Sequence, residues 1–390
     1  MITREDFEML CRKDIREATE MNIDRDPVAV ALDKHIPNAA AVATQVKYLQ
    51  RARKKLPSFY AARCIIPSLA FEQSSSEACA ERKELCGDSV LDLTCGLGVD
   101  AAALSKKFRR VVTLERNEVL AEVARENFSR LGISNIEVVC DSAEHFAETT
   151  AVSFDWCFAD PDRRGADGSK RVLVEDCSPD MTRMIPLLSE RGIAKRFFVK
   201  LSPLFDVDEA FRVFGRYGRC SVEVVSAGDE CKEVLAVIDA DRTPTLKAAA
   251  VGKGEFSTAW PPEGEISAAE SFEPEKYRYL IVPDVALQKG RLVRRRFGAE
   301  GFVNSENGFV FCEGRASGEV LGRVFEIEST ERYDPRRLRR EMKGRRAEIM
   351  LRDVPLGASK IMQATGLREG SDLRLAFTSI GGEIWVIRLK

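Results

Sequence analysis

Between residues 88 and 239 two periodicities alternate along the chain. Short runs of Val, Ile, Leu and Phe recur at strand length: SVLDLT, RVVTLE, IEVVC, FDWCFA, RFFVKL, CSVEVVS and EVLAVID. Several are bounded by Gly, Asp or Pro. Between most of them lie segments with apolar residues at helical spacing, namely VDAAALSKKF, EVLAEVARENFSRLG, TRMIPLLSERG and DVDEAFRVFGRYG. This alternation predicts an α/β unit built on a parallel, doubly wound sheet of seven strands. Only AGDECK separates the last two runs, which predicts an antiparallel hairpin at one edge.

The pattern differs on either side. Residues 1–80 mix apolar and charged positions at helical spacing (FEMLCRKDIREA, AAVATQVKYLQRARKKL) and are expected to form a helical region. Arg51, Arg53, Lys54 and Lys55 form a basic stripe there, which reads as a solvated helix face. The α/β unit is expected over 81–240. Residues 241–272 are rich in Gly, Pro, Ser and Ala and read as a linker with room for a short hairpin. Two small α/β pieces are expected over 273–318 and 319–390. Their candidate strands are FVFCE, RVFEIES, LRLAFTS and EIWVIRL, and their candidate helices lie around PDVALQKGRLVRRRF and DPRRLRREMKGRR.

Composition narrows the chemistry. The chain has 390 residues, enough for two or three domains, and 44% are hydrophobic, so a sizeable core is expected. The formal net charge is −2, which gives no global basic excess. The 11 cysteines form no CxxC pair, and the histidines are His35 and His145 only. A His-based metal site or a Ser-His-Asp triad is therefore not expected, and scattered cysteines suit a reducing compartment. MITREDFEML has no apolar signal core, and no run is long and apolar enough to span a membrane. A cytoplasmic monomer without a metal is expected.

The segment VLDLTCGLGVD (90–100) is a strand that breaks into a glycine turn and opens a helix. Gly96 and Gly98 permit the turn and close backbone approach by a ligand, with Thr94 and Asp100 on either side. Glu115 ends the next strand, followed by Arg116, where an acid can accept both hydroxyls of a ribose. That much suits a dinucleotide or S-adenosylmethionine. Three features favour S-adenosylmethionine. Asp92 precedes the glycines, where a carboxylate can face an ammonium, and the third glycine of a dinucleotide fingerprint is missing. Asp141 and Ser142 end the third strand, where an acid can take an adenine amino group. FADPDRR (158–164) ends the fourth strand, on the methyl side of the same carboxyl edge.

These elements resemble the class I S-adenosylmethionine-dependent methyltransferases, with a Rossmann-like fold. LAFEQSSSEACAERK (69–83) is similar to the EQ(A/S)(T/S) segment of one bacterial group within that fold. In that group a ferredoxin-like piece and a THUMP-like domain follow the methyltransferase domain. PDVALQKGRLVRRRFG and GASKIMQATGLREGSDLRLAFTSIGGEIWVI look like its closing segments. The resemblance covers residues from about 60 to 390. It implies Gln73, Ser74 and Ser75 as cofactor contacts, because the upstream segment lies over the cofactor in related enzymes. The other reading of these residues is a helix N-cap run.

Methyl transfer from a sulfonium needs alignment of nucleophile, methyl carbon and sulfur, and a place for the proton when the nucleophile is an amine. Exocyclic-amine methyltransferases read (D/N)PP(Y/F). Asp160 and Pro161 match that pattern, while Asp162 and Arg163 replace the second proline and the aromatic. Asp160 is the candidate that orients a target amine. Arg163 and Arg164 are candidates to grip a phosphate, or to pair with nearby acids. Lys200 and Ser202 end the fifth strand on the same edge and are candidate substrate contacts. No cysteine occupies the motif, which disfavours a covalent thiol mechanism at C5 of a pyrimidine. RLVRRRF and RYDPRRLRREMKGRR are basic enough to track phosphates, and THUMP domains bind RNA. The leading expectation is methylation of a base nitrogen in tRNA or rRNA. The alternatives are a protein or small-molecule methyltransferase, and an RNA-binding protein without catalysis.

Overall fold

A computed structural model describes residues 2–162, 174–262, 271–315 and 320–390. The chain divides into two compact units. One holds the residues up to Cys220 together with Val234–Arg242, and the other holds Ser221–Glu233 and Thr243–Lys390.

The first unit begins with helices Arg4–Cys11, Lys13–Met21, Pro27–Leu32, Ala39–Lys55, Pro57–Ala61, Ser68–Gln73 and Glu77–Arg82. Apolar faces of the first four converge in one cluster: Leu10, Ile15, Val30, Val42 and Val46 pack with Ile65 and with Val123 of the later helix Glu118–Arg130. The helical region is thus built onto the α/β unit by ordinary hydrophobic burial. Its basic stripe is a paired helix face. Arg51 is paired with Glu72, Arg53 with Asp24, and Lys55 donates to the Phe71 carbonyl.

Strands β1 (Gly87–Asp92), β2 (Phe108–Leu114), β3 (Ile136–Val139), β4 (Trp156–Ala159) and β5 (Phe197–Leu201) are mutually parallel. β6 (Cys220–Ala227) and β7 (Glu230–Ile238) follow, then β8 (Thr245–Ala250) and β9 (Gly254–Ala259). The strand order is β3-β2-β1-β4-β5-β7-β6-β8-β9. All four residues of β4 are buried, as are Phe197, Phe198 and Val199 of β5. Continuous apolar runs of this kind belong to parallel strands covered on both faces. β7 runs antiparallel to β5, with Phe197 opposite Ile238.

Two expectations are corrected here. The β6–β7 hairpin does not end the sheet, because β8 pairs in parallel with β6 and β9 pairs antiparallel with β8. Residues 245–259 fall in the stretch read as a linker with room for a short hairpin; they do form a hairpin, but it extends the sheet. Their Ala- and Gly-rich composition has low strand propensity, but pairing to an existing edge overrides it. β9 does show the period of two in its alternating exposure.

The second unit also contains β10 (Tyr279–Pro283), β11 (Phe302–Val303), β12 (Val310–Cys312), β13 (Gly322–Arg332), β14 (Arg346–Arg352), β15 (Arg368–Glu369), β16 (Leu373–Ile380) and β17 (Glu383–Leu389). They make one sheet in the order β11-β12-β10-β13-β17-β16-β14-β15. The pieces expected as separate at 273–318 and 319–390 are thus joined by an eleven-residue strand, β13. Its first half pairs with β10 and its second half with β17. Leu375 and Phe377 of β16 join Leu338, Met342 and Ile361 of helices Pro335–Met342 and Ala358–Thr365. Ala376, between them, joins Phe302, Phe311 and Ile387 in the other cluster. The basic run 332–346, read as one helix, stops at Met342; Gly344 turns the chain at φ 85° and β14 follows.

The glycine turn after β1 imposes the tightest local constraint. Gly98 sits at φ 87°, and a Cβ there would lie 2.6 Å from the Phe128 ring. Gly98→Ala combines backbone strain with overpacking and is expected to lower stability by about 2–4 kcal/mol. Urea denaturation of the two proteins measures the difference.

Candidate active site at the carboxyl edge of the first sheet

The site is built from the ends of β1, β2, β3, β4 and β5 and from the segment before β1. Asp92, at the end of β1, is fully buried. Its carboxylate accepts from the Thr94 N–H at 2.9 Å, the Thr94 hydroxyl at 3.3 Å and the Thr113 hydroxyl at 2.6 Å. Asp92, expected to face a ligand ammonium, holds the turn from inside through these three hydrogen bonds. Burial pushes its carboxyl up to about 7, although the Thr113 and Thr94 hydrogen bonds favour the charged form.

Glu115 ties β2 to the same turn. One carboxylate oxygen accepts from the Gly96 N–H at 3.0 Å, and the other from the Asn117 N–H at 2.8 Å. Burial raises its pKa. Gly96 sits at φ 54°, and a Cβ there would meet nothing within 4 Å. The turn therefore has an open face beside a half-buried carboxylate, which fits a ribose lying against backbone. Gly98 leads directly into the helix Val99–Leu104.

At the end of β3, the Asp141 carboxylate holds His145 Nδ1 at 2.8 and 3.0 Å and the Ser142 N–H at 2.7 Å. By accepting this hydrogen bond, the Asp141 carboxylate raises the pKa of the exposed His145 imidazole. Ser142 caps the helix Ala143–Thr149 by accepting from the His145 N–H. Arg116 is exposed, and its guanidinium donates to the Ser178 hydroxyl at 3.2 Å. Ser178 in turn exchanges backbone hydrogen bonds with Asp162 at 2.8 and 3.0 Å.

At the ends of β4 and β5 a chain of charges closes. The Asp160 N–H donates to the Thr94 hydroxyl at 2.7 Å, which fixes the end of β4 against the glycine turn. The Asp160 carboxylate is ion-paired with Lys200 of β5. Lys200 also donates to the Ser75 hydroxyl at 3.1 Å. Ser75 donates to Asp100 at 2.8 Å, and Lys83 donates to the other Asp100 oxygen at 2.6 Å. Lys83 is 1% exposed, Asp100 12%, Lys200 12% and Asp160 32%, so Asp160 is the member open to a ligand. Burial acts to raise the Asp100 carboxyl, but the Lys83 and Lys200 charges outweigh it and hold it below the usual range.

The expected residues thus separate. Ser75, Asp100, Thr94, Asp160 and Lys200 are brought together. Lys200, expected as a substrate contact, is the ion-pair partner of Asp160. Pro161 is buried directly behind Asp160. Ser202 is buried and accepts from the Leu204 N–H, holding the turn after β5. Gln73 is exposed at the end of its helix, and Ser74 donates to the Phe71 carbonyl. The capping reading falls on Ser76, which accepts from the Cys79 N–H. Arg163 and Arg164 lie outside the described residues. The sequence reading missed Lys83, for which no periodicity gives a signal. It also missed Thr113, whose register opposite Asp92 was a usable one.

Two expectations follow from the buried charges. Lys83→Met strands the Asp100 carboxylate and is expected to cost about 3–5 kcal/mol, part of which Asp100→Asn restores in the double variant. Thermal unfolding of the variants measures both. Asp92 gives a pH signature. An unfolded aspartate titrates near 3.9, below the folded value of about 7. Between these values the unfolded state loses its proton first, so this group lowers stability as pH rises from about 4 to about 7 and adds no further change above. Asp92→Asn lacks that loss. Its melting temperature relative to wild type is expected to climb across that window and then level off.

Comparison with known proteins agrees with this geometry. Residues 90–166 match the methyltransferase domain family, and residues 322–390 match the THUMP domain-like family. An S-adenosylmethionine-dependent methyltransferase of Mycobacterium tuberculosis, itself uncharacterised, is 25% identical over 320 residues, 80% of this chain and 84% of that one. A tRNA/tmRNA (uracil-C(5))-methyltransferase of Neisseria meningitidis is 32% identical over 157 residues, 33% of this chain but only 43% of its own length. A crystal structure from Porphyromonas gingivalis W83, named as a methyltransferase, superposes with a TM-score of 0.81 at 24% identity over 100% of this chain and 99% of that one, a likeness of fold. With a methyltransferase domain on the glycine turn and a THUMP-like domain after it, the chain is an S-adenosylmethionine-dependent methyltransferase.

Proposed function

We propose that this enzyme methylates a base nitrogen in structured RNA, either tRNA or rRNA, in the cytoplasm. One observation carries the reading. Asp160 is a third exposed at the end of β4, and its position is fixed twice, by Thr94 through its backbone and by Lys200 through its carboxylate. The hydrogen bond from Lys200 goes to Oδ2. Oδ1 is the atom assigned to accept a hydrogen bond from a target N–H, which turns the nitrogen lone pair toward the methyl side of the turn. Pro161 limits the freedom of that strand end.

S-adenosylmethionine supplies an electrophilic methyl group on a sulfonium. On this reading Glu115 receives the ribose, Gly96 and Gly98 form the floor, and Asp141 with Ser142 bounds the adenine side. Asp100 and Ser75 lie toward the amino-acid end, and Arg116 borders the acceptor side. Accepting the methyl group would leave positive charge on the acceptor nitrogen; Asp160 would stabilise that charge and take up the proton the nitrogen releases. The thiols in β4 and the glycine turn favour nitrogen over pyrimidine C5. Cys157 and Cys95 are buried, and burial raises both far above the usual thiol range. Among the described residues, the ends of β4 and β5 carry the Asp160 carboxylate, the Lys200 ammonium and the Ser202 hydroxyl but no thiol.

RNA as the substrate class rests on the THUMP-like domain and on surface charge. Arg337 and Arg388 are held by Glu331 and Glu341, and Arg339 donates to the carbonyls of Gln363 and Ala364. Arg336, Arg340, Lys343 and Arg345 are exposed and make no ion pair among the described residues, so they remain for phosphates. In RLVRRRF, Arg294 and Arg296 are occupied by the Asn304 carbonyl and Glu300. No described helix is long and apolar enough to cross a membrane.

Nucleoside mass spectrometry of RNA from wild-type and deletion strains is expected to show one methylated nucleoside missing from the deletion. Asp160→Asn is expected to reduce transfer to that RNA by roughly 10²–10⁴-fold while cofactor affinity changes little. An Asp160→Asn enzyme with wild-type kcat would remove the assigned role.

A further inference from the structure

The N-terminal helices and the helix Glu118–Arg130 line a half-open cavity of about 460 Å³ that shares no lining residue with the strand-end site. Its size lies within the range of small-molecule sites, about 300–1,000 Å³. Leu10, Leu49 and Ile65 are buried and form an apolar floor. The titratable groups that line it are Lys13, Arg16, Arg63 and Arg130 against Glu17 and Glu20. Cations are thus in excess.

The pairing within that set is uneven. Arg63 is held by Glu20 at 2.5 and 3.0 Å. Lys13 meets Glu17 only at 3.7 Å, with both side chains mostly exposed, so their attraction is weak. Arg16 makes no ion pair among the described residues. Arg130 donates from Nε to Glu126 at 2.7 Å and from Nη1 to the Arg63 carbonyl at 2.5 Å. Arg130 Nη2 is buried without a hydrogen-bond partner. A buried guanidinium donor left unpaired is costly, and the charge it leaves unmatched adds to the cation excess along this wall. The carbonyl that fixes Arg130 comes from a strained residue, since Arg63 sits at φ 51° without being glycine.

We propose that this cavity binds a nucleotide unit, with its phosphate on Arg130 and Arg16 and its base over the apolar floor. Guanidinium groups match phosphate oxygens and stack on bases, and the floor offers the apolar contact that a base needs. The choice of a nucleotide rests on the RNA reading above. The unit is either a free nucleoside monophosphate or one residue of an RNA strand, and its source can be separated by experiment.

The full-length protein, saturated with S-adenosylhomocysteine to fill the cofactor site, is titrated calorimetrically with UMP and separately with a six-nucleotide single-stranded RNA. Saturable binding of either supports the site: UMP binding points to a free nucleotide, and binding of the oligonucleotide alone points to the strand. Arg16→Glu, an exposed substitution, is expected to weaken that binding about tenfold or more, and Arg130→Gln to do the same. Absence of saturable binding by both probes overturns the proposal, as does wild-type affinity in Arg16→Glu. RNA methylation by the wild-type enzyme is measured in parallel, so loss of the RNA reading is distinguished from loss of this site.

Discussion

The site depends on one constraint: two lysines and two aspartates must share a mostly buried edge. Lys83, Asp100, Lys200 and Asp160 alternate in sign, and the Ser75 hydroxyl joins the two pairs. An isolated charge at the burial of Lys83 would be costly, and alternation is what makes the set tolerable. Because each member answers for its neighbour, the strand ends and the upstream segment must sit where the charges require. The polar chain therefore specifies geometry more than it adds stability.

The acids at the strand ends do two different jobs, although in sequence they look alike. Asp92 and Glu115 spend carboxylate oxygens on the backbone and hydroxyls of the glycine turn, and so hold it open. The turn cannot satisfy those N–H groups by helix or strand pairing, because its glycines run at positive φ. Asp160 keeps 32% exposure with an oxygen outside its ion pair. A turn held by buried acids and a reactive edge held by a lysine are thus two parts of one scaffold. The Thr94 hydroxyl joins them, taking the Asp160 N–H and donating to Asp92.

Much of this was legible in the sequence. The five parallel strands, the glycine turn and the acids at the strand ends follow from apolar runs and from Gly and Asp placement. β8 was missed because TLKAAA carries little strand propensity and is recruited by β6. The single sheet of the second unit was hidden for a related reason. β13 reads as one ordinary strand, and nothing in its residues shows that its halves serve different partners. Within the site, sequence placed Asp160 and Lys200 on the same edge but could not show them paired. That takes the β4–β5 register, which sets Ala159 beside Val199. Lys83 was invisible because a buried lysine and a surface lysine look the same in a charged stretch.

Charge balance along the edge also bears on turnover. The Lys83–Asp100–Lys200–Asp160 set is neutral as a whole, and Glu115 adds a carboxylate beside the open glycine turn. A cationic methyl donor is therefore favoured at this edge over the neutral thioether it becomes. The same logic explains why Lys200 is tolerable at this edge: its charge is already met by Asp160 and by the Asp100 field that reaches it through Ser75. Loosening the Lys200–Asp160 pair would leave a cation unmatched at this edge. Keeping the pair intact holds one carboxylate oxygen on the lysine and leaves the other outside the ion pair. The carboxylate thus keeps a fixed position while part of it stays open at the strand end.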